Sequence, residues 1–237
     1  FDCSGAGVSG DKACCVTSPL IGLFMYRTCF LINPGDDPFR YRGRDAEEAI
    51  RGVFPEIKGY VQARALSGQE APAFSGSAEL WFDDLSTAQA ASVIGIGGLL
   101  AAGAEVQSCL SGMERVVVRT AQYTQADRIK GVYPFRKKRD LTQKAFQHHW
   151  WHVHGPIAAL TEEALSYVQI HTPVDSQETV SQAYDGITEI SWPDIEAAGR
   201  AIGSRQMRED QGSDAPNFVD MDSISLFMAK EEVIIEP

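Results

Sequence analysis

The chain contains two copies of one sequence pattern, and this internal repeat limits the folds available to it more than any other feature. A Tyr-Val-Gln tripeptide begins at Tyr60 in the first half and at Tyr167 in the second. In each copy a glutamate within a second apolar run follows at a similar distance, at Glu79 and at Glu189. Such self-similarity indicates that one supersecondary unit is built twice.

Each copy reads as strand, helix, strand, strand, helix, strand, which is the split βαβ or ferredoxin-like unit. Strand and helix are distinguished by short β-branched apolar runs and by the 3.6-residue period. The opening and closing strands are predicted at residues 26–33, 114–120, 129–135 and 223–229, and the helices at 45–53, 86–92, from 141 onward and at 196–202.

A four-stranded sheet with helices on one face leaves its other face apolar and uncovered, and the sheet of a second copy can bury it. The expected fold class is therefore α+β, with two ferredoxin-like repeats packed sheet on sheet as a single-chain pseudodimeric α+β barrel. The repeats are assigned to residues 25–124 and 125–237. Two independent domains joined near residues 124–128 are the rival arrangement, but that arrangement leaves both open faces unexplained.

Residues 1–24 are expected to lie outside this fold. They begin without Met, contain Gly, Ser and Cys without a period, and precede Met25, which stands directly before the first predicted strand. We interpret the segment as an extension, with Met25 as the start of the fold. A short native extension packed on the surface is the alternative.

The charge of the chain argues against two classes of partner. It has 21 basic and 32 acidic residues and a formal net charge of −11. Nucleic acids and anionic membranes need a basic surface, so neither is expected as a partner. No apolar run approaches the roughly 18 to 20 residues of a membrane span.

The five cysteines are scattered without a CxxC pair, which favours a reducing, cytoplasmic location and no structural zinc.

The segment at residues 146–156 is the strongest functional signal, because it holds four histidines and two tryptophans and ends at Gly-Pro. On a helical period Phe146, Trp150 and His154 share one face. The two large aromatics must be buried, so His154 is an imidazole carried into apolar surroundings. Such an imidazole beside a cavity is a general acid or base. The alternative is a core histidine bonded to a backbone carbonyl.

His148 and His152 stand four residues apart and could together chelate a metal. A zincin-type site needs glutamate directly after the first histidine, and that position is His149 here. No acidic third ligand is recognisable in the sequence. We therefore expect a surface role for this pair and no metal site.

The same segment, together with others downstream, resembles the signature of the EthD family. The resemblance is strong over residues 129–235 and weaker over residues 25–124. It is carried by Phe146, His149, Trp150, the run His154-Gly155-Pro156, Tyr167, residues 184–190 and Phe218. It implies a dimeric α+β barrel, whose two halves a tandem arrangement would supply from one chain. The predicted helix at residues 45–53 contains no histidine, so the resemblance implies a site in the second half only.

The family resemblance also implies roles for individual residues. His154 matches the histidine most associated with proton transfer, and His149 and Trp150 match pocket-wall positions. Tyr133 and Tyr167 lie on strands, where their phenols could orient a substrate carbonyl or serve as core aromatics. His171 ends its strand and is expected either to contact substrate as a second acid or base, or to lie on the surface.

The expected function is that of a cofactor-independent lyase or isomerase acting on a small cyclic, largely apolar carbonyl or lactone compound. The sequence shows no phosphate-binding loop in register, no nucleophile elbow and no Cys–His motif. An alternative is a non-catalytic accessory protein that binds a hydrophobic metabolite, and a haem-binding variant is a third option, because related barrels bind haem through a histidine. A homodimer of pseudodimers is compatible with the resemblance.

Overall fold

The computed structural model describes residues 25–120, 128–174 and 183–237. The expectation for residues 1–24 therefore lies outside the described residues, as does most of the boundary between the two predicted repeats. Among the described helices, none is long and apolar enough to cross a membrane.

The two halves have the same element order. The first half consists of β1 (Tyr26–Ile32), α1 (Gly43–Val53), β2 (Gly59–Ala65), β3 (Gly76–Phe82), α2 (Leu85–Ile94) and β4 (Val106–Arg119). The second half begins with β5 (Ile129–Lys137), α3 (Gln143–His149), a π-helical turn (Trp150–His154), α4 (Gly155–Ala158), β6 (Ser166–His171) and β7 (Gly186–Trp192). It continues with α5 (Ile195–Gly203), a second π-helical turn (Gln206–Gln211), α6 (Gly212–Asp214), β8 (Val219–Asp220) and β9 (Phe227–Ile235).

The strands form one closed antiparallel barrel. Each half has a four-stranded sheet, in the orders β4-β1-β3-β2 and β9-β5-β7-β6. The sheets join along both edges, where β4 pairs with β6 and β2 pairs with β9. The predicted α+β class and pseudodimeric barrel are confirmed. The structure adds that the sheets also share hydrogen-bonded edges, so neither half keeps a free edge in the barrel.

The closing strands differ from their predicted positions. β4 starts earlier than predicted because residues 106–113 pair with β1, while residues 113–119 pair with β6. β9 lies later than residues 223–229, because residues 221–223 form a short 3₁₀ turn. The charged run Lys230-Glu231-Glu232 conceals this strand in the sequence. The side chain of Glu231 nevertheless lies inside the barrel, where it is buried beside Lys130.

The centre of the barrel contains a buried cluster of charges. Arg27 on β1 contacts Glu79 at 2.9 Å, Glu114 at 3.3 Å and Glu189 at 2.8 Å. The side chains of Arg27 and Glu79 are 2% and 1% exposed. Burial of charge is costly unless the charges are paired. The cluster therefore depends on every member being present.

Lys130 on β5 repeats the arrangement of Arg27. It contacts Glu79 at 2.5 Å, Glu231 at 2.7 Å and Glu189 at 3.6 Å. Each cation thus bridges Glu79 and Glu189, the two glutamates that mark the sequence repeat. The charge cluster has the same approximate twofold relation as the two halves, and it ties one half to the other.

The charges of the cluster are held by their neighbours. Burial and the neighbouring Glu189 together raise the pKa of Glu79 to about 7, against the effect of both cations. Burial tends to lower the pKa of Lys130, but Glu189 and Glu231 raise it well above its ordinary value. Lys130 therefore remains charged although it is buried.

Replacing Arg27 by methionine should destabilise the protein by about 3–5 kcal/mol, because it removes one partner of a buried ion cluster. The matched control is Arg44→Met, which removes an exposed pair with Glu48 and should change little. Urea unfolding of both variants measures the difference. Equal unfolding midpoints for the two variants would show that the cluster does not hold the barrel.

Candidate functional site

A cavity of about 160 Å³ lies between the sheet of the second half and the helices that cover it. Its walls are mostly aromatic and apolar, and they include Tyr133, Phe135, Trp150, Tyr167, Met207 and Phe218. An apolar cavity of about 150 Å³ accommodates a benzene molecule. The space therefore fits a compound of about one ring.

Helix α3 brings two of these aromatic walls into position. The helix begins at its N-cap Thr142, whose side chain accepts a hydrogen bond from the backbone N–H of Ala145. Phe146 and Trp150 lie on its buried face with stacked rings 5.3 Å apart. The shared face predicted from the helical period is present.

The helical backbone continues past Gly155-Pro156. It continues through a π-helical turn in which the N–H of Gly155 donates to the carbonyl of Trp150. Pro156 has no backbone N–H to donate, and it lies at the start of α4, directly after the wider π-helical turn. Such turns frequently occur at functional sites. The second π-helical turn, Gln206–Gln211, supplies Met207 and Gln211 to the same cavity.

His154 lies in the wall of the cavity and is 5% exposed. Its Nδ1 is 2.9 Å from one carboxylate oxygen of Asp214, and the Nε2 of His149 is 2.9 Å from the other. An ionised carboxylate only accepts hydrogen bonds, so each of these ring nitrogens carries a proton. In neutral His154 the lone pair is therefore on Nε2, which lies 3.5 Å from the hydroxyl of Tyr167.

The surroundings favour this neutral form of His154. Burial lowers its pKa below the ordinary value of 6.5, and the opposing hydrogen bond and charge of Asp214 do not fully compensate. Burial acts to raise the pKa of Asp214, but the hydrogen bonds from His149 and His154 lower it overall. Near neutral pH the site thus holds a carboxylate and a neutral imidazole.

Two phenols face the same space. Burial raises the pKa of Tyr133, and burial likewise raises the pKa of Tyr167, so both hydroxyls stay protonated. The hydroxyl of Tyr133 has no hydrogen-bond partner among the described residues. Its ring lies over Gly131, where an added Cβ would come within 2.8 Å of the ring. Tyr133 therefore offers a free hydrogen-bond donor to a bound compound.

The structure brings together four of the six residues named from the sequence. Tyr133, Trp150, His154 and Tyr167 line the cavity. His149 does not; it borders an outer groove, is stacked on Phe218 with ring centres 5.2 Å apart, and reaches the site through Asp214.

His171 lies behind the cavity wall rather than in it. Its ring stacks on Trp150 with centres 4.3 Å apart, and its Nε2 donates to the side-chain oxygen of Gln169. Burial, followed by the charge of Arg115, lowers the pKa of His171 to about 3. It is neither on the surface nor in contact with the space that a substrate would occupy.

His148 and His152 are exposed, with ring centres 4.7 Å apart. The described residues contain no group of three or more His, Cys, Asp or Glu side chains arranged to hold a metal ion.

Sequence reasoning missed Asp214, Thr188 and Gln211. Asp214 follows a polar run with no apolar period, and nothing in that run distinguishes it from its acidic neighbours. Thr188 precedes Glu189 in a strand whose apolar sequence predicts a position in the core. Only the fold brings these residues to His154 and Tyr167.

The first half has a buried apolar cluster at the corresponding place. Tyr60, the counterpart of Tyr167, is fully buried in an apolar cluster with Phe30, Phe54 and Phe82. No histidine lies in α1. The cavity therefore belongs to the second half, the half in which the sequence placed the site.

Comparison with solved structures defines the class of fold. A putative chlorite dismutase has a TM-score of 0.51 and 12% identity, over 88% of this chain and 95% of that one. A mutant chlorite dismutase from Candidatus Nitrospira defluvii has a TM-score of 0.50 and 13% identity, over 90% and 91% of the two chains. The chain thus has the fold of these α+β barrel proteins.

A narrower match covers the half that holds the cavity. Residues 138–222 match the model of the EthD domain. An EthD family protein from Bacillus halodurans is 19% identical over 43% of this chain and 95% of its own, with a TM-score of 0.36. Comparison with curated proteins gave no match.

Replacing Gly186 by alanine should disturb the cavity wall. A Cβ at this position would lie 2.5 Å from Trp150 Cζ3, so the indole must move, and overpacking of this kind costs about 1–3 kcal/mol. Gly199 in α5 is the control, since a Cβ there meets nothing within 4 Å. Tryptophan fluorescence should change for Gly186→Ala and not for Gly199→Ala. The unfolding temperature should fall for Gly186→Ala only, because alanine is a better helix former than glycine at position 199. An unperturbed Gly186→Ala protein would contradict the packing described.

Proposed function

We propose that the second half of this protein is a cofactor-independent lyase or isomerase in which His154 is the acid/base. The observation that carries the proposal is the position of His154, whose Nε2 is directed toward Tyr167 in a ring-sized cavity while Asp214 holds Nδ1. A positioned imidazole that is neutral near pH 7 is suited to taking a proton from a substrate. The EthD domain match supports the same reaction classes.

The geometry supports proton removal next to a carbonyl group. A bound substrate takes the place of the Tyr167 hydroxyl at His154 Nε2. This nitrogen then takes the proton from carbon, and the electron pair of the broken C–H bond moves to the carbonyl oxygen as an enolate. Tyr133 donates its free hydroxyl hydrogen bond to that oxygen, where negative charge develops. Asp214 stabilises the imidazolium that results.

The second step decides the overall reaction. Return of the proton from His154 to a different carbon, with the enolate electron pair forming the new C–H bond, is an isomerisation. Alternatively, the enolate electron pair forms a C=C bond, while a leaving group departs from the adjacent carbon with the electron pair of its own bond and takes the proton from His154, which is an elimination. Both outcomes use the same residues, and the cavity itself does not favour one over the other.

The lining favours an uncharged substrate. Among the described residues that form the walls, none is lysine or arginine, whereas Phe135, Trp150 and Phe218 contribute aromatic surface. A carboxylate or phosphate in this space would lack a cation to pair with. We therefore propose a cyclic, largely apolar ketone or lactone of about one ring as the substrate.

The cavity does not fit haem, the cofactor that the family resemblance raises as an option. A space of about 160 Å³ accommodates one aromatic ring. The haem macrocycle is several times larger than this space.

Replacing His154 by glutamine should lower the rate of proton removal by roughly 10²-fold or more, in line with general acid–base contributions. The measurement is deuterium uptake from D₂O at the carbon next to the carbonyl, followed by NMR over a panel of cyclic ketones and lactones. His148→Gln is the control, because His148 is exposed and outside the cavity. A folded His154→Gln protein that exchanges at the parent rate would remove His154 from the mechanism.

The exchange rate should rise with pH, with a midpoint below 6.5, because burial lowers the pKa of His154 and the neutral form is the base. Asp214→Asn should shift the midpoint further down, since Asp214 opposes the effect of burial. The same variant should also lower the maximal exchange rate at high pH, because the His154 ring loses its hydrogen bond to the Asp214 carboxylate. A midpoint above 6.5 in the parent protein would contradict the assignment of the base.

A further inference from the structure

The two halves contain corresponding trios of strand residues, and one further residue of the site differs between the halves beside them. On β2 the trio is Tyr60, Gln62 and Arg64. The amide nitrogen of Gln62 donates to the Tyr60 hydroxyl at 2.9 Å and to the backbone carbonyl of Tyr41 at 3.2 Å. Its oxygen accepts a hydrogen bond from Arg64 at 2.7 Å. In this half the glutamine therefore engages the tyrosine hydroxyl.

On β6 the trio is Tyr167, Gln169 and His171. The amide nitrogen of Gln169 donates to the backbone carbonyl of Trp150 at 3.2 Å, and its oxygen accepts from His171 at 2.8 Å. These two contacts repeat those of Gln62. The third contact of Gln62, with the tyrosine hydroxyl, has no counterpart here, because the hydroxyl of Tyr167 lies 3.5 Å from His154 Nε2 instead of bonding to Gln169.

The strand register shows which neighbour differs. Gln62 lies directly opposite Ala78 on β3, and Gln169 lies directly opposite Thr188 on β7. Thr188 is buried, lines the same cavity as Tyr167 and lies diagonal to it across the β6–β7 pair, and its side chain acts to lower the pKa of Tyr167 against the larger effect of burial. The alanine at the matching place in the first half has no hydroxyl with which to attract a phenol.

We propose that Thr188 is a positioning residue that draws the Tyr167 hydroxyl away from Gln169 and directs it into the cavity toward His154. The hydrogen bonds then run in one direction. Thr188 donates to the phenol oxygen, Tyr167 donates to His154 Nε2, and His154 Nδ1 donates to Asp214. This inference rests on the proposed function only in its purpose, because none of the proposed hydrogen bonds involves a substrate.

The test is the titration of His154 in the ligand-free full chain, followed through its Cε1–H signal by NMR. The chain has five histidines, and the signal of His154 is identified by its absence in His154→Gln. A hydroxyl that donates to Nε2 stabilises the neutral ring. Losing that hydrogen bond should therefore raise the pKa of His154, by roughly 0.5–1 unit for a net hydrogen bond of about 1 kcal/mol.

The variants are Thr188→Val, Tyr167→Phe, the double variant and Thr188→Ser. Thr188→Val and Tyr167→Phe should raise the pKa by similar amounts, and the double variant should not exceed either, because both changes remove the same hydrogen bond. Thr188→Ser keeps the hydroxyl and should titrate like the parent. Thermal unfolding of each variant verifies that the fold is intact, and Thr188→Ala replaces Thr188→Val if the valine protein does not fold.

Three outcomes would overturn the proposal. The first is an unchanged titration in Thr188→Val, and the second is an unchanged titration in Tyr167→Phe. The third is additive shifts in the double variant, which would mean that Thr188 acts on His154 without Tyr167. None of these readings involves turnover, so they are independent of the deuterium-exchange experiment that tests the function itself.

Discussion

The barrel depends on buried opposite charges that meet at its centre. Arg27 and Lys130 each contact Glu79 and Glu189, which come from different halves. Apolar contacts alone would tolerate a sliding of one sheet along the other. A buried charge loses its partner when the register slips, and the loss of a partner costs several kcal/mol. We therefore expect the cluster to specify how the halves align, in addition to holding them together.

This fixed alignment lets the two halves differ elsewhere. In the first half aromatic side chains, among them Phe30 and Phe82, pack together in the space between sheet and helices. In the second half the aromatic side chains stand at the edges of that space. Trp150 lies at the side of the space because it packs closely against Gly186 and stacks on His171. One half thus contributes stability, and the other accommodates a cavity with polar groups at its wall.

The repeat and the strand–helix periods were sufficient to predict the barrel, because they depend on local apolar patterns that each half shows twice. The shared face of Phe146, Trp150 and His154 followed from the helical period for the same reason. The charge cluster could not be predicted, since a charged residue within a strand normally indicates the solvent face. Asp214 was equally hidden, because its role depends on a contact with His154 across 60 positions of sequence. Local patterns carry no information about such pairs.

The position of β9 has a consequence for how this protein folds as it is synthesised. β9 follows all other strands of the barrel in sequence, yet it pairs with β2, and Ile235 lies beside Tyr60. Until residues 227–235 have left the ribosome, the edge of β2 is open and Lys130 lacks Glu231. Pairings over such sequence distances form slowly, and an open strand edge is prone to aggregate. Before β9 is in place, the chain therefore has an open strand edge in an otherwise nearly complete barrel.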